Sequence, residues 1–489
     1  MIQAEYGVVR SEKRIAAEIK VATECPINFN EEVKKIISVN AVAFITSAEN
    51  KGEKTLVRAK VAFRAVYLTE DGFKKCEAFA EAEAELPIVG AIVCAEAVDV
   101  RMSSVNDGFA ARCGVRFTGE SFKTDENQVL TGGEGLIIKP CDVIADEVTE
   151  TASEEFTVAD EFEVNYAVKE VLCHSEFIRV KSVESGVSRV IFEGDAEITV
   201  KALPFSENND IIKEKRAVPF RFELPVIGAL PDMLASGEVR LCKEAVKVFT
   251  DEAKNKSSIS VELTLAATGC GVNRVKTQAA IDAYSRTDEV MLTRNQPAIE
   301  IFEGTRYRDE RITAKTNAAA PDGARILGTL GEAVTVFSVN PSDGKTAISG
   351  SVKADVIFRN ADNGTTCVQA ETPFSLDITE EGKVCNVKVA LCDLTARVRG
   401  GDIEFEFTLA VRYDLYAVKT VACVAGAESL GERKAADSAI TVFIPAAGDE
   451  LWDVSKRLAC TEDEVTRLNP DLEFPLKGDE RIIIYRQKI

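Results

Sequence analysis

The chain has 489 residues, enough for three or four domains of ordinary size, and 46% of them are hydrophobic, which can supply the cores of such domains. Its formal net charge of −21 argues against nucleic acid or an anionic membrane surface as the main partner, because both require basic patches. The acidity is compatible with a scaffold that docks on basic protein surfaces, and equally with a charge that only maintains solubility.

The sequence contains no recognisable signal peptide or membrane-spanning segment. The opening MIQAEYGVVRSEKRIAAEIK is charged throughout and lacks the apolar centre of a signal peptide. The longest apolar stretch, about Leu86 to Ala95, is far shorter than the roughly 20 residues that cross a bilayer, so we expect a cytoplasmic protein without membrane insertion.

The 13 cysteines are odd in number and never spaced as CxxC. This pattern favours reduced, mostly buried thiols over a zinc site or a disulfide framework.

A repeated sequence motif indicates duplication: ELPIVGA at 85–91 recurs as ELPVIGA at 223–229. When the chain is aligned on Pro87, Pro225 and Pro373, apolar and polar residues alternate before each proline, which is typical of a strand with one buried face. Proline has no N–H to donate, so each proline is expected to end its strand.

Further alternating runs accompany each copy, and hairpin turns are predicted at Asp71-Gly72 and Asn363-Gly364. The runs upstream of the prolines have the apolar members Val57, Ala59, Val61, Phe63 and Ala65; Ala196, Ile198, Val200 and Ala202; and Val352, Ala354, Val356 and Phe358. The runs downstream have Ala111, Cys113, Val115 and Phe117; Ile259, Val261, Leu263 and Leu265; and Ile403, Phe405, Phe407, Leu409 and Val411.

We therefore predict a mainly β chain with three tandem domains of antiparallel sandwich-like or barrel-like form, at residues 1–145, 150–285 and 296–425. Acidic or polar connectors are expected between them, at 142–163 and 285–300. The small, charged stretch at 426–437 is predicted to be a flexible linker.

The last fifty residues change from a β to a helical period, and a small α+β module of strand, helix, helix and strand is predicted at 438–487. Leu451, Val454 and Leu458 fall at helical spacing, with Asp449 as the expected cap. The pair Thr461 and Glu464 predicts a capping box for the second helix. The helix is expected to stop at Asn469-Pro470, and residues 481–485 are β-prone.

Three blocks of this module, GDELWDVSKRL, TEDEVTRLNPDL and LKGDERIII, resemble a LysM module. The resemblance implies a shallow groove for N-acetylglucosamine-containing glycan between two loops. Carried over residue by residue, the groove consists of Gly448, Asp449, Glu450 and Leu451 on one side and Asn469, Pro470, Asp471 and Leu472 on the other. For Trp452 we favour core packing over ligand contact, and Asn469 can equally serve as a helix stop.

Tandem β-rich copies followed by one LysM module resemble the SPOCS-domain proteins of endospore-forming bacteria, in particular the SipL-like spore envelope morphogenesis family. The wording DAYS at 282–285 fits the end of such a domain. The resemblance implies a scaffold in the mother-cell cytoplasm that tethers the spore coat to the forespore surface. Its LysM module is expected to contact the basement-layer ATPase of the coat or another coat protein. The alternative is a wall or cortex protein whose LysM module binds peptidoglycan.

Catalytic chemistry finds little support in the sequence, and we expect no catalytic residue, no metal and no cofactor. Cys173-His174 is the only adjacent pair that suggests a nucleophile, but neighbouring strand residues point to opposite faces. A half-buried structural histidine is the favoured interpretation. The glycines of TGGEG at 131–135 are not followed by the Lys-Ser/Thr of a phosphate-binding loop.

Overall fold

A computed structural model describes residues 2–89, 92–105, 108–206, 210–342, 344–362, 364–434 and 440–485. Within these ranges the protein is built mainly from antiparallel β-sheets, with two short α-helices near the end. The predicted mainly β fold is therefore confirmed.

The strands fall into three six-stranded units with additional strands between and after them. The first unit contains β1 (Gln3–Ile27), β2 (Lys35–Lys51), β3 (Lys54–Thr69), β4 (Gly72–Leu86), β5 (Ile92–Val105) and β6 (Gly108–Glu134). After β7 (Ile137–Val148), the second contains β8 (Ala152–Val164), β9 (Val168–Gly186), β10 (Arg189–Pro204), β11 (Ile212–Pro225), β12 (Leu234–Asp251) and β13 (Lys256–Tyr284), with a 3-10 turn at Glu252–Lys254. After β14 (Asp288–Asn295), the third contains β15 (Ala298–Ala319), β16 (Arg325–Ser342), β17 (Lys345–Arg359), β18 (Thr365–Thr379), β19 (Lys383–Arg399) and β20 (Asp402–Thr420). The remaining elements are β21 (Cys423–Glu432), β22 (Ile440–Phe443), α1 (Leu451–Leu458), α2 (Glu462–Leu468) and β23 (Ile482–Tyr485).

Each unit has the same topology, as duplication predicts. Its second, third and fourth strands form one meander sheet, and its first, sixth and fifth strands form the other, in the orders β2-β3-β4 and β1-β6-β5 for the first unit. The two sheets pack face to face over an apolar core. Phe63 and Phe117 occupy this core in the first unit, and Phe358 and Phe405 do so in the third; all four are fully buried.

The alternating runs predicted from the sequence are confirmed by burial, since every apolar member named above for the upstream and downstream runs is buried. The alignment on Pro373 is wrong. Leu86 and Pro225 end β4 and β11, but Pro373 lies inside β18, opposite Ser351, and the strand continues to Thr379. Because β18 is an edge strand, a missing N–H is tolerated there.

The predicted connectors are strands. Residues 142–163 lie largely in β7 and β8, and residues 285–300 include β14 and the start of β15. Apart from the buried Asp146, which accepts from the Phe302 amide, and the buried Asp288, their acidic residues are exposed or half-buried, and apolar residues such as Val143 and Val158 are buried. The first part of the predicted linker, residues 426–432, belongs to β21, which pairs with β14. Asn363 of the predicted turn and residues 435–437 of the linker lie outside the described residues.

Several strands run past their own units and pack on one another. The ladder of β1 and β6 extends over 25 residues of β1, and β13 pairs with β8 along its first half and with β7 along its second. The extensions share two apolar clusters. One contains Val9, Val129, Val143 and Ile301, and the other contains Leu130, Ala280, Ala283 and Val424. The three units are thus joined by paired strands rather than by loose linkers.

The meander sheets also meet, in a cluster that we call the three-unit core. Its members are Ile37, Val66 and Phe73 of the first unit, Leu172 and Leu203 of the second, and Leu327, Leu330 and Ile357 of the third. Since all eight side chains are buried and each unit contributes at least two, no unit can shield its share alone.

Polar contacts surround the three-unit core in a cyclic order. Arg64, Lys201 and Asp355 each lie two residues before a member of that core, and each reaches the next unit. Arg64 Nη1 donates to the His174 carbonyl (3.4 Å) and Lys201 Nζ donates to the Thr329 carbonyl (2.8 Å). Asp355 accepts from Ser38 Oγ (2.6 Å), and this hydrogen bond connects the third unit to the first. The ring of three units is therefore closed.

We expect Leu203→Ala to lower the free energy of unfolding by about 2–5 kcal/mol, because it leaves a cavity in the three-unit core. Amide hydrogen exchange should accelerate in β2 and β16, which belong to the other two units. In the matched variant Leu265→Ala, from the internal core of the second unit, the faster exchange through openings short of global unfolding should stay within that unit. Equal exchange patterns in the two variants would contradict the shared core.

Candidate functional site

The tail module has the predicted order of strand, two helices and strand. β22 and β23 pair antiparallel, and both helices pack on a small core that includes Val454, Leu458, Val465 and Ile482. Val454, Leu458 and Val465 are apolar positions of the helical period, so the local amphipathic pattern specifies how the helices pack.

Helix capping follows the sequence in α2 but not in α1. Thr461 Oγ1 accepts from the Glu464 amide (3.2 Å), and Glu464 Oε2 accepts from the Thr461 amide (3.0 Å), as the capping box predicts. The cap of α1 is Glu450, one residue later than expected, with Asp453 as its reciprocal partner. Asp449 instead accepts from the Ala446 amide (2.8 Å) and from Arg457, and therefore holds the preceding turn.

The first predicted groove segment is largely a structural turn. Gly448 has φ +90°, a conformation that favours glycine, and its amide donates to the Leu476 carbonyl (2.7 Å). Asp449 is buried, Leu451 packs on the tail core, and Gly448 and Glu450 remain exposed.

The second segment divides in the same way. The Asn469 side chain donates to the carbonyls of Val465 (3.0 Å) and Ile483 (2.9 Å) and accepts from the Ile483 amide (2.8 Å). Its amide group is thus used to fasten α2 to β23, which agrees with the structural interpretation of this residue. Leu472 packs on the tail core, while Pro470 and Asp471 are exposed.

Trp452 is buried, but it packs against the second unit rather than inside the tail core. Its indole Nε1 donates to Asp282 Oδ2 (2.9 Å), and its ring meets the ring of Tyr284 edge to face with centroids 5.0 Å apart. Both partners lie at the end of β13. The tryptophan therefore fixes the tail module to the platform formed by the three units.

Asp282 is the centre of this contact. Besides the indole, it accepts two hydrogen bonds from Lys456 Nζ (both 2.7 Å) and one from Arg294 (2.8 Å). Burial alone would raise the pKa of Asp282. The hydrogen bonds from Lys456 and Trp452 outweigh this effect and lower that pKa below its usual range. The carboxylate is therefore ionised at neutral pH.

Two further bonds complete the interface. Tyr284 Oη donates to the Cys460 carbonyl (2.6 Å), and Arg286 forms an ion pair with Glu464 (3.2 Å). Sequence reasoning expected a separately tethered module and did not assign a role to these residues. The DAYS motif at 282–285 contains both Asp282 and Tyr284, and it was the only feature of the sequence that pointed to this part of β13.

A second cluster lies where the fifth strands of the three units meet. Cys94 Sγ donates to Glu238 (3.0 Å), and Lys388 contacts both Glu238 and Cys94. Burial raises the pKa of Cys94 to about 12, whereas Lys388 and Arg412 overcome burial and lower the pKa of Glu238 to about 2. Near neutral pH these groups are a neutral thiol and an ionised, paired carboxylate, which suits an ion pair between units rather than a nucleophile and a base.

His174 and Cys173 do not form a pair. Cys173 packs against the three-unit core, and His174 Nδ1 lies 2.6 Å from Glu176 Oε1. His174, Glu176 and Glu244 place one potential ligand atom each within 4.8 Å of one another, a geometry that a cation could use. Arg64 already forms an ion pair with Glu244. The guanidinium thus supplies positive charge at this boundary between the first and second units.

Comparisons with protein-family models and with curated proteins give no match to this chain. Neither helix in the described part of the chain combines the length and apolar character that a bilayer crossing needs. The argument for function therefore depends on the motifs of the tail and on the geometry around them.

We expect Asp282→Ala to release the tail module, because hydrogen bonds to a charged group each stabilise by about 1.5–3 kcal/mol. The chain has a single tryptophan, so its emission reports on this contact directly. The emission should shift to longer wavelength, and acrylamide quenching should increase severalfold. Asp125→Ala, which removes an exposed carboxylate on β6, is the control and should leave both signals unchanged. Wild-type emission in Asp282→Ala would contradict the docking contact.

Docking should also weaken in acid. A carboxylate whose pKa is lowered in the docked state stabilises that state fully above its undocked pKa, about 3.9 for a free aspartate. The contribution is lost as the pH falls through the docked value. Tryptophan emission should therefore show an acid transition below about pH 4 that far-UV circular dichroism does not show. Asp282→Ala should lack this separate transition, and its persistence there would assign the effect to another group.

Proposed function

We propose that this protein is a non-catalytic assembly scaffold of the spore envelope. Its three β units act as a platform, and its tail module presents a docking surface to a coat protein at the forespore surface, on the mother-cell side. The resemblance of the tail to LysM modules and of the whole arrangement to SPOCS-domain proteins supports this role. The proposed partner is the basement-layer ATPase of the coat or another coat protein.

The observation that carries the proposal is the orientation of the tail module. Trp452 and Lys456 hold one face of α1 against Asp282, while Gly448, Glu450, Pro470 and Asp471 of the two loops remain exposed. A module that is fixed through α1 while residues of both loops stay exposed is suited to displaying a binding surface at a constant position.

The exposed loops also have a charge that favours a particular kind of partner. Glu450, Asp471 and the neighbouring Glu473 are acidic and exposed. Complementary charge accelerates association and selects against like-charged partners, so we expect a basic surface on the protein that binds here. Peptidoglycan binding through the same loops is the competing outcome of the experiment below.

The test is a charge reversal on the full chain. We expect Asp471→Arg combined with Glu473→Arg to abolish capture of the coat partner from extracts of sporulating cells and to disperse a fluorescent fusion from the forespore surface. Tryptophan emission should be unchanged, which shows that the tail remains docked.

The matched control is Glu154→Arg with Glu155→Arg, an exposed acidic pair on β8 of the platform. It should retain partner capture and localisation. The proposal is wrong if the tail variant still localises to the forespore. It is also wrong if the wild-type chain pellets with purified peptidoglycan and captures no coat protein.

A further inference from the structure

A cluster of polar side chains lies at one edge of the second unit, beside its boundary with the first. His174 and Glu176 belong to β9, and Glu244 belongs to β12. Both strands stand at the end of their sheets, in the orders β11-β10-β9 and β12-β13-β7. The cluster therefore lies between the edges of the two sheets that form the sandwich.

All three side chains occupy inward positions of these strands. Directly opposite residues of an antiparallel pair share one face of the sheet. Each member of the cluster lies opposite a core residue of the second unit, in the pairs His174 and Val200, Glu176 and Ile198, and Glu244 and Leu263. In the first unit, the inward positions of β2 include Ala41 and Ala43, which pack on the core of that unit. Polar groups thus stand in the second unit where a sandwich normally has apolar ones.

The two carboxylates of the cluster are almost completely buried. The side chains of Glu176 and Glu244 are 2% and 6% exposed, and that of His174 is 10% exposed. Burial of a carboxylate is costly unless a positive charge or a metal ion compensates it. Arg64 of the first unit provides one charge, but it pairs with Glu77 (3.3 Å) as well as with Glu244. With a neutral imidazole, one guanidinium against three carboxylates leaves two negative charges, which a divalent cation balances.

One oxygen of Glu244 is directed at the histidine and has no hydrogen bond. Oε1 pairs with Arg64, whereas Oε2 is buried without a hydrogen-bond partner and lies 3.8 Å from His174 Nδ1. The same nitrogen lies 2.6 Å from Glu176 Oε1. Tetrahedral ligands placed about 2.0–2.2 Å from a zinc ion are separated from one another by about 3.4 Å. The two distances lie on either side of this value, so small side-chain rotations bring the three atoms to a metal-binding geometry.

We propose that His174, Glu176 and Glu244 bind a divalent transition-metal cation such as Zn²⁺, through imidazole Nδ1 and one oxygen of each carboxylate. A mixed set of nitrogen and oxygen ligands suits such an ion better than Mg²⁺ or Ca²⁺, which prefer oxygen ligands alone. Arg64 stays on Oε1 of Glu244 and orients this carboxylate from outside the ligand set.

The proposed site differs from the sequence-based expectation of no metal. Its ligands come from two strands far apart in the chain, so no closely spaced motif indicates them. The cation fastens the two sheets of the second unit at their edge, and its binding therefore stabilises the folded chain. This inference does not depend on the proposed scaffold function.

Titration of the metal-free full chain with Co²⁺ tests the proposal, because the absorption spectrum of bound cobalt distinguishes thiolate ligands from nitrogen and oxygen ligands. This distinction matters in a chain with 13 cysteines. Co²⁺ should bind without a sulfur-to-cobalt charge-transfer band and should raise the melting temperature. Mg²⁺ should bind at least tenfold more weakly than Co²⁺.

Three variants locate the site. His174→Gln, Glu176→Gln and Glu244→Gln should each raise the dissociation constant for Co²⁺ at least tenfold and remove most of the rise in melting temperature. The matched control is Glu184→Gln, which removes an exposed carboxylate of β9 and should bind like wild type.

His174→Gln keeps the test decisive should a glutamate variant fail to fold, because it removes a ligand without changing a buried carboxylate. The proposal is overturned if metal-free wild type does not bind Co²⁺, a result that would assign charge balance to a protonated His174. It is also overturned if bound cobalt shows the thiolate band, if Mg²⁺ binds equally well, or if His174→Gln binds Co²⁺ like wild type.

Discussion

The structure depends on one constraint, the need to cover the apolar faces of strands that are longer than the units to which they belong. In a paired ribbon, alternate side chains lie on one face, and Val9, Val129 and Val143 form such faces beyond the sandwich cores. These faces would be in water if the units were separate. Burial against the ribbons of the other units resolves this, and the same packing places the end of β13 where the tail module docks.

The constraint accounts for the other contacts between units. Once the ribbons converge, the meander sheets are brought together and bury Ile37, Leu203 and Leu330 in the three-unit core. Arg64, Lys201 and Asp355 then lie at equivalent places in a closed ring, although their chemistry differs. Duplication of one unit followed by divergence at the boundaries explains this combination of a repeated backbone and varied polar contacts.

Much of the fold could be predicted from the sequence, because alternation of apolar and polar residues is a local signal. Phe63, Val200 and Phe407 were assigned to buried faces by period alone, and all are buried. The strands at 142–163 were missed because their solvent faces are so acidic that composition obscured the period. Pro373 misled the alignment, since a proline on an edge strand need not end it.

The candidate site was less predictable, because it depends on contacts between residues far apart in the chain. The helices and their apolar faces were evident, whereas the partner of Trp452 is 170 residues away. The prediction that Trp452 packs in a core describes its burial correctly. No periodicity in the sequence could indicate that Asp282 accepts a hydrogen bond from its indole. The same applies to Cys94, Glu238 and Lys388, which come from three different units.

Calorimetry of the full chain tests most directly whether the three units form one interlocked body. Shared apolar clusters predict a single unfolding transition in which the calorimetric and van't Hoff enthalpies agree for the three units together. Two or three separable transitions, each with the enthalpy of one unit, would contradict the account.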